Sequence, residues 1–238
     1  MKLKYITVGG ISDLTKMDDI IKILRAAPNA ELALDAHPDD IKMGTARRVW
    51  FENILRTVKN MSRNLHLVVR VNGQWAEKFC CGNIPYDLIE YFYLMRKTGL
   101  PVIKRWQINI ADNHPGVFQS GNVAKLLKNY QNYEFIFQYS PKEYRRIHRL
   151  DETGAKFSVI YNINNTLLPP MFDNHPQGYA GNISPENVSE RIARIALYAN
   201  QRRDIWISAE KKLKNPITSE FDIARALKYI KNANAAMR

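Results

Sequence analysis

Acidic, imidazole and amide side chains recur at two-residue spacing in segments of this chain that are otherwise apolar. Asp35 with His37, Arg70 with Asn72, Arg105 with Gln107 and Asn109, and Gln138 with Ser140 share a side if their segments are extended, because side chains alternate across a strand. Asn162, Asn182 and the pair Ser208 and Glu210 hold similar places later in the chain. Strands of a parallel sheet are buried on both faces, so polar side chains inside them need a task beyond solvation. Arginine and amides offer a polar ligand its hydrogen bonds. Asp35, His37 and Glu210 offer proton transfer, and a carboxylate beside an imidazole is a pair that its surroundings tune toward neutral pH.

Other chemistries find less support. Asp35-Ala36-His37-Pro38-Asp39-Asp40 contains ligand types for a divalent ion, but His66, His114, His148 and His175 stand in no ligand spacing with it, and we expect no metal. Cys80 and Cys81 are adjacent, which is neither a disulfide framework nor a metal motif, and two thiols suit a reducing compartment. Val8-Gly9-Gly10-Ile11 is not a G-x-G-x-x-G fingerprint, and no G-x-x-x-x-G-K-[ST] loop occurs; no cofactor is expected. Of the tryptophans, Trp106 has the opposite parity to the polar set and should face helices. Trp206 shares parity with Ser208, and Trp75 is placed in a loop after the third strand, where it is a candidate ligand contact.

The elements that must position these residues follow from periodicity. Short β-branched or aromatic runs cover residues 4–8, 31–36, 66–71, 102–108, 134–139, 157–161, 177–180 and 204–207. Between them lie segments with apolar residues at helical spacing, such as Ile20, Ile23 and Leu24, or Val49, Trp50, Ile54 and Val58. Ser184-Pro185-Glu186-Asn187 opens another helix, residues 144–150 form a short one, and residues 220–233 close the chain. Eight strands in alternation with helices predict an α/β fold of the (β/α)8 TIM-barrel type, one domain over residues 1–238. All the polar positions then fall at or near the C-terminal ends of their strands, the face on which such barrels build their sites.

The 238 residues are 45% hydrophobic and 24% charged, with a net charge of +12. No apolar run approaches the roughly 20 residues that span a bilayer, and the N-terminus enters a strand-like run directly. A cytoplasmic protein with no membrane partner is expected. The charge raises nucleic acid as a partner, yet the basic residues are scattered as pairs, among them Arg47 and Arg48, Arg145 and Arg146, and Arg202 and Arg203. That scatter favours a solvated basic surface over a nucleic-acid face.

The stretch Ala180-Gly181-Asn182-Ile183-Ser184-Pro185-Glu186-Asn187-Val188, followed by a strand ending in Ser208 and a closing helix, resembles phosphoribosylanthranilate isomerase. Thr7-Val8-Gly9-Gly10-Ile11 and Val159-Ile160-Tyr161-Asn162 are similar to that family's first and sixth strands. The resemblance implies a barrel that grips a substrate phosphate at Gly181, Asn182, Ser208 and Ala209, with Lys211, Lys212 or Lys214 near by. It also implies an altered catalytic set. Gly9 stands where the family has its general-base cysteine and Asn162 where it has its general-acid aspartate, and neither exchanges a proton near neutral pH.

Taken together, the sequence points to a small anionic metabolite, phosphorylated or carboxylated, as partner. The ligand-binding candidates are Arg70, Asn72, Arg105, Gln107, Asn109, Gln138, Asn162, Gly181, Asn182, Ser208 and Ala209, and the proton-transfer candidates are Asp35, His37 and Glu210. The reaction expected is of isomerase or lyase type. Two alternatives stand beside it: a catalytically inactive barrel kept as a binding module, and a basic nucleic-acid-associated protein.

Overall fold

The computed structural model describes residues 1–61, 65–110, 118–139, 143–163, 172, 174–198 and 204–237. Its strands are β1 (Lys2–Val8), β2 (Ala30–Ala36), β3 (His66–Val71), β4 (Arg105–Ile108), β5 (Glu134–Tyr139), β6 (Ser158–Asn162), β7 (Gln177–Ala180) and β8 (Asp204–Ala209). They follow one another around a closed barrel in sequence order. The helices are α1 (Met17–Ala26), α2 (Ala46–Asn60), α3 (Gly73–Cys80), α4 (Tyr86–Phe92), α5 (Ser120–Asn129), α6 (Tyr144–Asp151), α7 (Val188–Tyr198) and α8 (Ile223–Ala235). This is the (β/α)8 TIM-barrel fold that the alternation predicts. Among the described residues no helix is long and apolar enough to cross a membrane.

Packing divides the chain into two compact units: a terminal unit of Met1–Ala33 with Ile160–Arg238, and a central unit of Leu34–Val159. In the terminal unit β1 is parallel to both neighbours, with Thr7 opposite Glu31 on β2 and Ser208 on β8. Ile20, Ile23 and Leu24 form the buried stripe of α1. The side chain of Asp222 caps α8 by accepting from Ala224 N and Arg225 N at 2.9 and 3.1 Å, satisfying amides that a helix start leaves open.

In the central unit the register sets Arg70 of β3 opposite Gln107 of β4, and Trp106 opposite Phe135 of β5. Trp106 stacks on Phe92 of α4, with ring centroids 4.1 Å apart and planes 6° from parallel, and lies near Phe79 of α3. Its parity therefore turns it to the helices, as the alternation requires. Thr45 caps α2 through its hydroxyl, which accepts from Arg48 N at 3.2 Å, and Phe51, Ile54, Leu55 and Val58 bury the inner face of that helix.

Two expectations are corrected here. Trp75 lies in α3, not in a loop, and is buried together with Ala76, Phe79 and Cys80. Those residues form one apolar face only if the segment is helical, and that burial outweighs the turn signal of Gly73. Arg105 begins β4 and so lies at the N-terminal end of its strand. Residues 102–104, which the sequence pattern assigned to the strand, precede it and follow the antiparallel bridge from Met95 to Pro101.

Candidate functional site

The C-terminal ends of β2, β3 and β4 carry a continuous polar network in the central unit. Arg70 Nη2 donates to Asp35 Oδ2 at 2.7 Å. The Arg70 guanidinium is almost fully buried, whereas the Asp35 carboxylate is one-third exposed, so the pair is anchored on its cationic side and open on its anionic side. Asn72 Nδ2 donates to the Arg70 carbonyl at 2.9 Å, while Asn72 Oδ1 accepts from Asn109 Nδ2 at 2.8 Å. Gln107 Nε2 in turn donates to Asn109 Oδ1 at 2.7 Å. Backbone bonds from Asn72 N to the Ala36 carbonyl and from Asn109 N to the Val71 carbonyl extend the sheet to these residues. Amide side chains whose donors and acceptors are set by neighbours hold one orientation and present a fixed pattern to a ligand.

His37 leaves this network. β2 ends at Ala36, and the imidazole Nδ1 accepts the main-chain N–H of Asp39 at 3.2 Å. Its other side lies on Gly73, where a Cβ would come within 2.7 Å of Nε2. Gly73 has φ +59°, so both conformation and clearance call for glycine there. Asp35 and His37 thus take different partners, Arg70 and the Asp39 amide, because the chain turns at Pro38 once the strand has ended. Asp39 itself is exposed, and Lys42, 3.0 Å away, holds its carboxyl below the usual carboxylate range, chiefly by hydrogen bonding.

Beneath these residues lies a buried charged layer that the sequence reading did not single out as a unit. Arg105 Nη2 reaches Glu134 Oε1 at 3.1 Å, and Ser158 Oγ donates to the same oxygen at 2.8 Å. Arg105 is only 1% exposed, and its charge is balanced within the fold. The signal was present in the parity of Glu134 with Gln138. Gln138 is half-buried on β5, and Ser140 lies outside the described residues.

The terminal unit holds the second candidate set. Gly181 and Asn182, just past β7, have φ +88° and +44°. Asparagine is among the few side-chain-bearing residues that enter the left-handed region readily, which is how it fits where the resembling family has a second glycine. The turn is then tied: Asn187 Nδ2 donates to the Asn182 carbonyl, and Ser184 N donates to Asn187 Oδ1, both at 2.8 Å. Ser208 and Ala209 are buried at the end of β8, and the Ala209 carbonyl accepts from Gly9 N at 2.9 Å. Glu210 follows, half-buried, its Cγ 3.1 Å from where a Cβ on Gly10 would stand. A similar buried contact lies deeper in this unit, where Thr7 Oγ1 donates to Glu31 Oε2 at 2.6 Å. Asn162 is exposed at the end of β6. Trp206 is buried across Gly178 of β7, on the face that it shares with Ser208. Among the described residues no three His, Cys, Asp or Glu side chains gather to hold a metal ion.

No protein-family model matches the chain, and no curated protein matches it by sequence. Solved structures do match. Phosphoribosylanthranilate isomerase from Thermotoga maritima aligns with a TM-score of 0.59 at 14% identity, covering 98% of this chain and 99% of its own. 3-Hexulose-6-phosphate synthase from Salmonella typhimurium aligns at 0.51 and 13%, covering 99% of this chain and 100% of its own. A GH30 endoxylanase from Clostridium papyrosolvens aligns at 0.60 and 11%, covering 100% of this chain and 72% of its own. The likeness shows a (β/α)8 barrel. At such identities it is a likeness of fold, and this fold hosts many chemistries.

Proposed function

We propose that this chain binds a small phosphorylated or carboxylated metabolite at its C-terminal strand ends and acts on it as a cofactor-independent enzyme of isomerase or lyase type. The observation that supports this most directly is the network from Asp35 and Arg70 through Asn72 and Asn109 to Gln107. It orients five polar side chains at neighbouring strand ends, the face on which barrel enzymes bind their ligands. In the terminal unit, Gly181, Asn182, Ser208 and Ala209 form a candidate anion-binding set, with Lys211, Lys212 and Lys214 following β8. Two of the three solved structures named above carry a phosphorylated sugar in their names.

Proton transfer falls to Asp35, His37 or Glu210. A second reading, a binding module without turnover, draws support from Gly9, which has no side chain to exchange a proton, and from Asn162, whose carboxamide exchanges none near neutral pH. A thermal-shift screen against sugar phosphates, aromatic and aliphatic carboxylates and short oligonucleotides tests both, since a selective ligand stabilises the native state according to its affinity and concentration. A sugar phosphate or carboxylate that stabilises the unaltered chain, and does so far less in Asn109→Ala, is the expected result. Stabilisation by oligonucleotides alone, abolished by salt, refutes the proposal.

A further inference from the structure

We infer that His37 meets the ligand as a hydrogen-bond donor of fixed tautomer, through Nε2, and is not the proton-abstracting base. This rests on the ligand site proposed for the ends of β2–β4. Nδ1 accepts the Asp39 main-chain N–H at 3.2 Å. An amide N–H only donates, so the ring nitrogen facing it keeps its lone pair and the neutral imidazole carries its proton on Nε2.

Nδ1 also has a carboxylate near by. The Asp39 carboxylate has Oδ2 3.6 Å from it and would accept from a protonated Nδ1. That separation lies beyond hydrogen-bond range, and Lys42 Nζ, 3.0 Å from Oδ1, draws the carboxylate toward solvent, where it is 71% exposed. The amide prevails because the loop itself presents it. Asp40 N and Ile41 N both donate to the His37 carbonyl at 3.1 Å, so ring and donor belong to one turn.

Nε2 is directed by Gly73. A Cβ at that position would stand 2.7 Å from Nε2 and 3.1 Å from Cδ2, so the imidazole occupies the space a side chain would fill. A neutral donor held there suits a ligand oxygen that carries negative charge or gains it as a neighbouring proton leaves. Asp35 remains the candidate in this unit for removing that proton.

Nitrogen chemical shifts in histidine-labelled protein at about pH 8, above the ordinary imidazole range, read the tautomer directly. The His37 signals are assigned by their loss in His37→Gln. Expected are a bare Nδ1 and a protonated Nε2 in the ligand-free chain, with the Nε2 signal moving on addition of ribose 5-phosphate or inorganic phosphate. Glutamine places an N–H near the Nε2 position and asparagine near Nδ1. His37→Gln should therefore bind ribose 5-phosphate close to the level of the unaltered chain, while His37→Asn and His37→Ala weaken binding by about 10- to 100-fold, the loss of one hydrogen bond to a charged group. Gly73→Ala should displace the His37 signals. A protonated Nδ1, a glutamine variant no better than alanine, or unmoved signals in Gly73→Ala overturns the assignment. A chain with the Nε2–H tautomer that binds neither probe sinks the ligand reading instead, and the donor role with it.

Discussion

Alanine at position 178 should destabilise this protein although alanine is ordinarily the better strand residue. At an open site, replacing a strand glycine lowers the entropy of the unfolded chain and stabilises by roughly 0.5–1 kcal/mol. At Gly178 the added Cβ would stand well under 3.0 Å from Cε2, Nε1 and Cζ2 of Trp206, where non-bonded carbons settle at about 3.5–4.0 Å. Relief is hard to find. The indole is 2% exposed, and Gln177 and Tyr179, on either side of the glycine, are 1% exposed, so neither strand has free space to move into. Overpacking of a well-filled site costs about 1–3 kcal/mol, and three ring atoms in conflict place this case at the upper end. For a chain of this length each kcal/mol lowers Tm by about 2–4 °C, which gives a fall of about 6–12 °C. Thermal unfolding followed by far-ultraviolet circular dichroism measures it. Trp206→Leu in the same background removes the ring and should recover part of the loss, so the two substitutions couple in a double-mutant cycle. An unchanged or raised Tm for Gly178→Ala, or strict additivity with Trp206→Leu, would refute the packing argument.

Glu134→Gln keeps the shape of the side chain but takes the carboxylate away from Arg105 and Ser158; breaking a buried ion pair in this way costs about 3–5 kcal/mol, and urea unfolding should show it, a loss below about 1 kcal/mol counting against a buried pair. Burial pushes the Cys80 thiol from an ordinary 9.0 up to about 12, so iodoacetamide near pH 8 should modify Cys81 well before Cys80. The sign of the linked stability follows: between pH 9 and 12 the folded state holds a proton that the unfolded state has lost, so stability falls as pH rises through that window, by at most about 1.4 kcal/mol per pH unit from this group. Cys80→Ala should flatten the alkaline decline of unfolding free energy by that amount, and an identical slope in both proteins would show that the thiol is not responsible.

The sequence by itself determined the number and order of the strands and their alternation with helices. Residues 66–71, 134–139 and 177–180 are strands with the expected bounds, because β-branched and aromatic runs between helical segments bury both faces only in a parallel sheet. Alternation also settled facing: Trp106 turns to the helices and Trp206 to the side of Ser208, since neighbouring side chains on a strand cannot share a face. The polar set was legible as residue types at strand ends, but its pairing was not. Asp35 and His37 are two residues apart and take different partners, because the strand stops at Ala36 and parity has no meaning beyond it. Arg70, 35 residues away in sequence, became the partner of Asp35 through the register of β3, which no local pattern encodes. Helix α3 was hidden because Gly73 reads as a turn, and only the burial of Trp75, together with that of Phe79 against Phe92, Trp106 and Phe135, makes the segment helical. Arg105 moved from candidate ligand contact to ion-pair partner of Glu134 for the same kind of reason. A side chain's partners are set by what the fold brings within hydrogen-bond range, and that distance is a property of the tertiary structure.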